Sequence, residues 1–325
     1  MDQPSGENSD ATEESPIKRV LGMPLQEEQE MLAYVQEIFQ QQEKLPYERE
    51  KTPEELEIIR GIIEKLPDFL AQFGLRAMSI TPDHIHVADE ATLTLETRKR
   101  NKIPNDSGGF YMDDKLGTVV FSNQNPLVFA GDVVHEILHL LAFNSLVPSE
   151  PHGEFVRPRR IGFQIIDRGG KIRYFHEVNE AITEELARIF DRTYFAGVPP
   201  LKLEVAERNA FIKKYPKTDG DNLQAIQSWQ NPNGTWTTEL TPYAYRNERK
   251  NLKILIDDIA EKNKTTFPSW HDVAKLFVEA AFTGRLLPVA RAVEKSFGKG
   301  SFRMLAEKTA IQTKGWHKPG VDTKS

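Results

Sequence analysis

Cysteine is absent from this sequence of 325 residues. That excludes disulfides, thiolate-bound metals and cysteine nucleophiles together, and it fits a reducing compartment. Also missing is any run of about 20 uncharged apolar residues, the length that a membrane-spanning helix needs. The most apolar stretch is interrupted by Asp132, His135, Glu136 and His139. The opening residues, MDQPSGENSDATEESP, contain no apolar segment of the kind found in secretory signals. There is no basic excess either. A net charge of −6 is the wrong sign for a dedicated nucleic-acid surface. The two short basic runs, Arg98, Lys99, Arg100 with Lys102 and Arg157 with Arg159 and Arg160, read as solvated loop or strand ends. The expectation is a soluble, cytoplasmic protein with neither nucleic acid nor membrane as partner.

With 39% hydrophobic and 28% charged residues, the chain can bury a substantial core. Residues 1–24 are poor in hydrophobics and rich in Glu, Asp, Ser and Pro, the composition of a disordered acidic tail. Helical spacing then appears in Met31, Leu32, Val35, Ile38 and Phe39. A second helix opens at Thr52 with Pro53 and two glutamates, and carries Leu56, Ile59, Ile62 and Ile63 on one side. From about Ile80 the period becomes that of strands, in residues 84–89, in 91–97, and in a hairpin over 108–121 that turns at 113–117. A helix capped near Asn125 follows, then a second hairpin over 160–175 and a helix from His176 to Tyr194. Beyond Gly197 the pattern is mostly helical, with a looser Pro/Gly/Asn-rich stretch over 217–241. The order is α+β. It divides into the tail, a core over 25–196 with N-terminal helices, and a helical C-terminal subdomain over 197–325.

The chemistry concentrates in NPLVFAGDVVHEILHLLAF, residues 125–143. His135 and His139 are spaced i, i+4, so both leave one helix face about one turn apart. Two imidazoles so placed can bind one Zn²⁺, and Glu136 beside the first can act as general base on a water at the metal. The surrounding Val133, Val134, Ile137, Leu138, Leu140 and Leu141 make the helix apolar nearly all round, where polar groups are costly unless paired or ligated. A catalytic zinc needs a third protein ligand and one open position. The metzincin continuation would place Gly at 142 and His at 145, but the chain has Ala142 and Ser145.

The run Asn179, Glu180, Ala181, Ile182, Thr183, Glu184 resembles the third-ligand helix of thermolysin-like gluzincins, which reads Asn-Glu-Ala-Ile-Ser-Asp. The resemblance covers about thirty residues in two segments, and the 40 residues between His139 and Glu180 exceed that family's spacing. The hairpin over 160–175 accounts for the excess, since loops tolerate insertion cheaply. The resemblance implies a zincin-like catalytic core, one Zn²⁺ per chain, Glu180 as third ligand and Glu184 as the carboxylate orienting a ligand histidine. The apolar stripe Val178, Ala181, Ile182, Leu186 and Ile189 leaves Glu180 nearly opposite, so Glu177, Glu184 and Glu185 stay open as ligands, as do His152 and Glu154. Candidates to stabilise an oxyanion are His176, Tyr194, Tyr243 and Tyr245. His84 and His86 read as surface or core residues. The expected function is a zinc metallopeptidase acting on a peptide or protein substrate extended along the 108–121 hairpin. The alternative is a zincin-fold binding or regulatory protein with little or no proteolysis, using its C-terminal helices as the partner surface.

Overall fold

A computed structural model describes residues 17–89, 93–94, 108–112, 117–123, 125–148 and 156–312. Strand β1 (Ile17–Val20) is followed by helices α1 (Leu25–Gln40) and α2 (Pro53–Ala71). The expectation of a disordered tail over 1–24 therefore fails from Ile17 onward, where β1 forms. Ile17 and Val20 are buried, and the Glu28 carboxylate accepts from Arg19 Nε at 2.7 Å and the Val20 N–H at 3.2 Å. Residues 1–16 lie outside the described residues. Helix α2 begins as its sequence predicts, with Thr52 and Glu55 forming a reciprocal capping box and Pro53 in the first turn. Its buried stripe shares Ile59 and Ile62 with the expectation, then runs through Ile58, Leu66, Phe69 and Leu70.

Strands β2 (Ile85–Ala88), β3 (Gly109–Met112) and β4 (Gly117–Phe121) form a three-stranded sheet ordered β2-β4-β3. β2 runs parallel to β4 and β3 antiparallel to it, so the predicted hairpin pairing is present and, among the described residues, β3 is an edge. Phe121 N–H donates to Gly108 C=O at 2.8 Å. By the alternation of antiparallel ladders, Gly109 and Tyr111 then turn their backbone polar groups away from β4. The expected turn at 113–116, most of the strand over 91–97 and the basic run over 98–102 lie outside the described residues.

Helix α3 (Pro126–Leu141) follows, with the Asn125 side chain accepting from Leu127 N–H at 2.9 Å as its cap. Next come β5 (Asn144–Pro148), β6 (Val156–Ile161), β7 (Gln164–Ile166) and β8 (Ile172–Tyr174), an antiparallel meander. β7 and β8 are the hairpin expected over 160–175. β1 extends this sheet on one side, and β11 (Ile311–Gln312) extends it on the other. Helix α4 (His176–Tyr194) leaves the meander with the bounds the sequence predicts.

The C-terminal half contains α5 (Lys202–Lys214), α6 (Arg246–Lys262), α7 (Trp270–Thr283), α8 (Leu286–Phe297) and α9 (Ser301–Lys308). Inside it, the stretch expected to be loose is instead a hairpin of β9 (Leu223–Gln230) and β10 (Trp236–Pro242). Its turn uses Gly234 at φ 80°, a left-handed conformation cheap only for glycine. One apolar core runs through both halves without a break at residue 197. It joins Val133 and Ile137 of α3, Val178 and Leu186 of α4, and Ile256, Phe277 and Val289 of the C-terminal helices. α4 packs against α3 and also against α6. Among the described residues no helix is long and apolar enough to cross a membrane.

Candidate metal centre

Helix α3 delivers His135 and His139 from one face, and α4 delivers Glu180 against them. The two imidazole Nε2 atoms stand 3.1 Å apart, and Glu180 Oε2 lies 3.3 Å from each. All three side chains are buried. Ligands held about 2.0 to 2.1 Å from a tetrahedral ion stand about 3.3 Å from one another. The near-equilateral triangle therefore matches three corners of such a site, and this buried His-His-Glu group can hold a metal ion. Glu180 is buried although it lies opposite the main apolar stripe of α4, because that helix is covered on two sides.

Glu184, one turn further along α4, accepts from His135 Nδ1 at 2.7 Å through one oxygen and from Ala244 N–H at 3.0 Å through the other. This fixes the His135 tautomer, leaving Nε2 free to ligate. Burial opposes a proton on His135, yet Glu180 and Glu184 outweigh it and hold the pKa well above the usual imidazole value. Burial likewise opposes ionised Glu180, and His139 and His135 outweigh it, holding that carboxyl well below its usual range. A divalent cation favours the same ionised carboxylate while competing with the His135 proton. Glu184→Ala should weaken metal affinity by about 10- to 100-fold, read by competition with a chromogenic chelator. Unchanged affinity would contradict its orienting role.

Glu136 is buried beside the triangle, and its Oε2 has no hydrogen-bond partner. Burial raises its pKa, in the direction a general base working near neutral pH requires. The edge strand passes directly over it. A Cβ built on Gly109 would stand 2.9 Å from Glu136 Cγ, and one on Gly108 would stand 2.3 Å from Asp132 Oδ2. Only glycines let β3 approach α3 this closely. Burial pushes Asp132, one turn before Glu136, up to about 7, with His135 opposing the shift and Glu136 adding to it.

Of the four oxyanion candidates, two reach the centre. Tyr245 lays its ring nearly parallel to His135 with centroids 5.8 Å apart. Burial, then the nearby charges of Glu180 and Glu136, raises its pKa. It begins α6 at φ 49°, and Phe175 begins α4 at φ 58°. These are the non-glycine residues with left-handed backbone among the described residues, and such strain clusters at functional sites. His176 Nδ1 lies 3.7 Å from Glu180 Oε1 and 2.7 Å from Gln164 Oε1. The remaining two are elsewhere. Tyr194 accepts from Gln72 within an aromatic cluster containing Phe69 and Phe190, and Tyr243 is buried with its hydroxyl donating to Asp191.

The rival ligands are also accounted for. Glu185 pairs with Arg188 at 2.6 Å and Arg249 at 3.4 Å, while Glu177 is partly exposed in the first turn of α4. His152 and Glu154 lie outside the described residues. His84 and His86 are core residues, the first against the Phe39 ring and the second on Glu48 at 2.7 Å. Sequence reasoning missed the contribution of Asn179, whose Oδ1 accepts from Phe163 N–H at 2.8 Å and so seats the β6–β7 turn on the ligand helix. It also missed Arg208, which grips Asp191 of α4 with two 2.7 Å bonds. Neither has a local signal, since each depends on a partner from another element. Compared with known proteins, the chain matches no family model, no curated protein and no solved structure.

Proposed function

We propose that this protein is a zinc-dependent metallopeptidase with a zincin-like core, in which His135, His139 and Glu180 hold the metal and Glu136 is the general base. The observation that carries this reading is the unpartnered, buried Oε2 of Glu136 beside the ligand triangle and under an edge strand. A buried carboxylate oxygen without a donor is costly unless an occupant of the site supplies one, and an attacking water does so. The donor set, two imidazoles and a carboxylate with no thiolate, is that of hydrolytic zinc sites. When bound, Zn²⁺ supplies a Lewis acid that polarises the scissile carbonyl and lowers the pKa of a water to about 7.

The chain's own residues do the rest. Glu136 takes a proton from the attacking water and passes it to the leaving amine. Glu184 holds His135 in the ligating tautomer, and its second oxygen ties down the segment that carries Tyr245. The Tyr245 phenol, kept protonated by burial and by its acidic neighbours, is a hydrogen-bond donor for the oxyanion. The outward polar groups of Gly109 and Tyr111 pair with an extended substrate as an added strand. The test is digestion of a broad peptide library by the zinc-loaded protein, with cleavage sites read by mass spectrometry. Cleavage that a chelator abolishes and added zinc restores is expected. An untouched library would favour the alternative, a zincin-fold binding protein.

A further inference from the structure

The proton-transfer machinery described above does not use Asp132. This residue lies three residues before His135 and four before Glu136 on α3, so it shares their face one turn toward the helix N-terminus. Its carboxylate makes no hydrogen bond and no ion pair with any described residue. The charged groups that act on it are His135, Glu136 and Glu184, with no lysine or arginine among them. Several acidic residues elsewhere in the fold are paired instead. Asp191 has Arg208, Glu28 has Arg19, Glu55 has Arg49 and Glu48 has His86. Asp132 and the unpartnered Oε2 of Glu136 lie beneath two adjacent glycines, Gly108 and Gly109.

Asp132 is partly exposed, and its carboxylate lies against the backbone of Gly108, directly before β3. A side chain at position 108 would collide with its carboxylate, with an ideal Cβ 2.3 to 2.6 Å from its three terminal atoms. The Oε2 of Glu136, a residue only 6% exposed, stands unpartnered one turn away, beneath Gly109. The site is also acidic overall. The charges of Asp132, Glu136, Glu180 and Glu184 lie close enough to act on one another, and one divalent cation offsets only part of them. A partly desolvated carboxylate lacking an internal cation discriminates in favour of a ligand that brings one.

Resting on the peptidase reading above, we infer that Asp132 selects substrates carrying a cationic side chain, lysine or arginine, next to the bond that is cut. The chemistry is a charge-assisted hydrogen bond from guanidinium or ammonium to carboxylate, strongest for arginine because its planar fork matches the two oxygens. A substrate strand paired to β3 passes over Gly108 and Gly109 and brings a side chain to Asp132 as the adjoining peptide bond reaches Glu136.

The test compares peptides that differ only in arginine or its neutral isostere citrulline at each position flanking the cleavage site. Wild-type protein should cleave the arginine peptide with a kcat/KM at least about tenfold higher. The ratio should fall toward one in Asp132→Asn, recover in Asp132→Glu, and shift toward glutamate-bearing peptides in Asp132→Lys. Each ratio is taken within one protein, so a partly folded variant does not alter it. Calorimetric affinities of the same pair for Glu136→Gln, in which turnover is slowed, should show the same preference. Equal cleavage of the two peptides by wild type, or a preference that survives Asp132→Asn, overturns this inference alone. No cleavage of any peptide overturns the peptidase reading and this inference with it.

Discussion

Glu136→Gln should keep its metal and lose about 10²- to 10⁴-fold in turnover, the usual contribution of general-base catalysis. The amide has the shape of the carboxylate but cannot take a proton from water. It also does not disturb the ligands, because Glu136 is not part of the triangle formed by His135, His139 and Glu180. The loss should appear in kcat and kcat/KM together, since proton transfer matters in the transition state and little in substrate binding. Metal content measured on the same sample separates this from loss of the site. Undiminished cleavage by a Glu136→Gln protein that retains zinc would contradict the assigned role of Glu136.

Arg208→Ala should lower the unfolding free energy by about 3 to 5 kcal/mol, because it strands a buried carboxylate. Arg208 and Asp191 are each 1% exposed. The guanidinium spans both oxygens of Asp191 and also donates to Gln224 C=O at 2.7 Å, joining α5 to α4 and to β9. The Tyr243 hydroxyl donates to the same carboxylate. Replacing Asp191 and Arg208 together by leucine and methionine should cost much less than the single change, since no ion is then left unpaired. Urea unfolding at fixed zinc concentration gives the values. A loss below about 1 kcal/mol for Arg208→Ala would show that the pair is hydrated rather than sealed. The network also bears on the site, since Tyr243 is followed directly by Ala244, which donates to Glu184, and by Tyr245.

The local features of α3 were legible in the sequence because each rests on neighbours along the chain. Asn125 and Pro126 mark its start, and the i, i+4 spacing of His135 and His139 fixes their common face. The Thr52 cap of α2 and the span of α4 follow from the same short-range rules. The burial of Glu180 was not legible. Its helical wheel places it away from the stripe of Val178, Ile182 and Leu186, and only the packing of α4 against both α3 and α6 covers that second side. The same limit applies to Tyr245, which nothing local separates from Tyr194 or Tyr243. Its position depends on a chain reversal before α6 that brings it onto His135. The β9–β10 hairpin had its signal in Asn233-Gly234 between alternating segments. That signal was masked by the polar, largely exposed β10 and the exposed end of β9. β1 was hidden because a four-residue strand at the end of an acidic tail has too little pattern to stand out.

The most direct measurement is the zinc content and affinity of the purified protein beside single alanine variants at His135, His139, Glu180, Glu177, Glu185 and His152, by elemental analysis and chelator competition. About one tightly bound Zn²⁺ per chain is expected in wild type, Glu177→Ala, Glu185→Ala and His152→Ala. Severe loss of zinc is expected in His135→Ala, His139→Ala and Glu180→Ala. Normal zinc binding by Glu180→Ala, or its loss in one of the other carboxylate variants or His152→Ala, would contradict the centre described here.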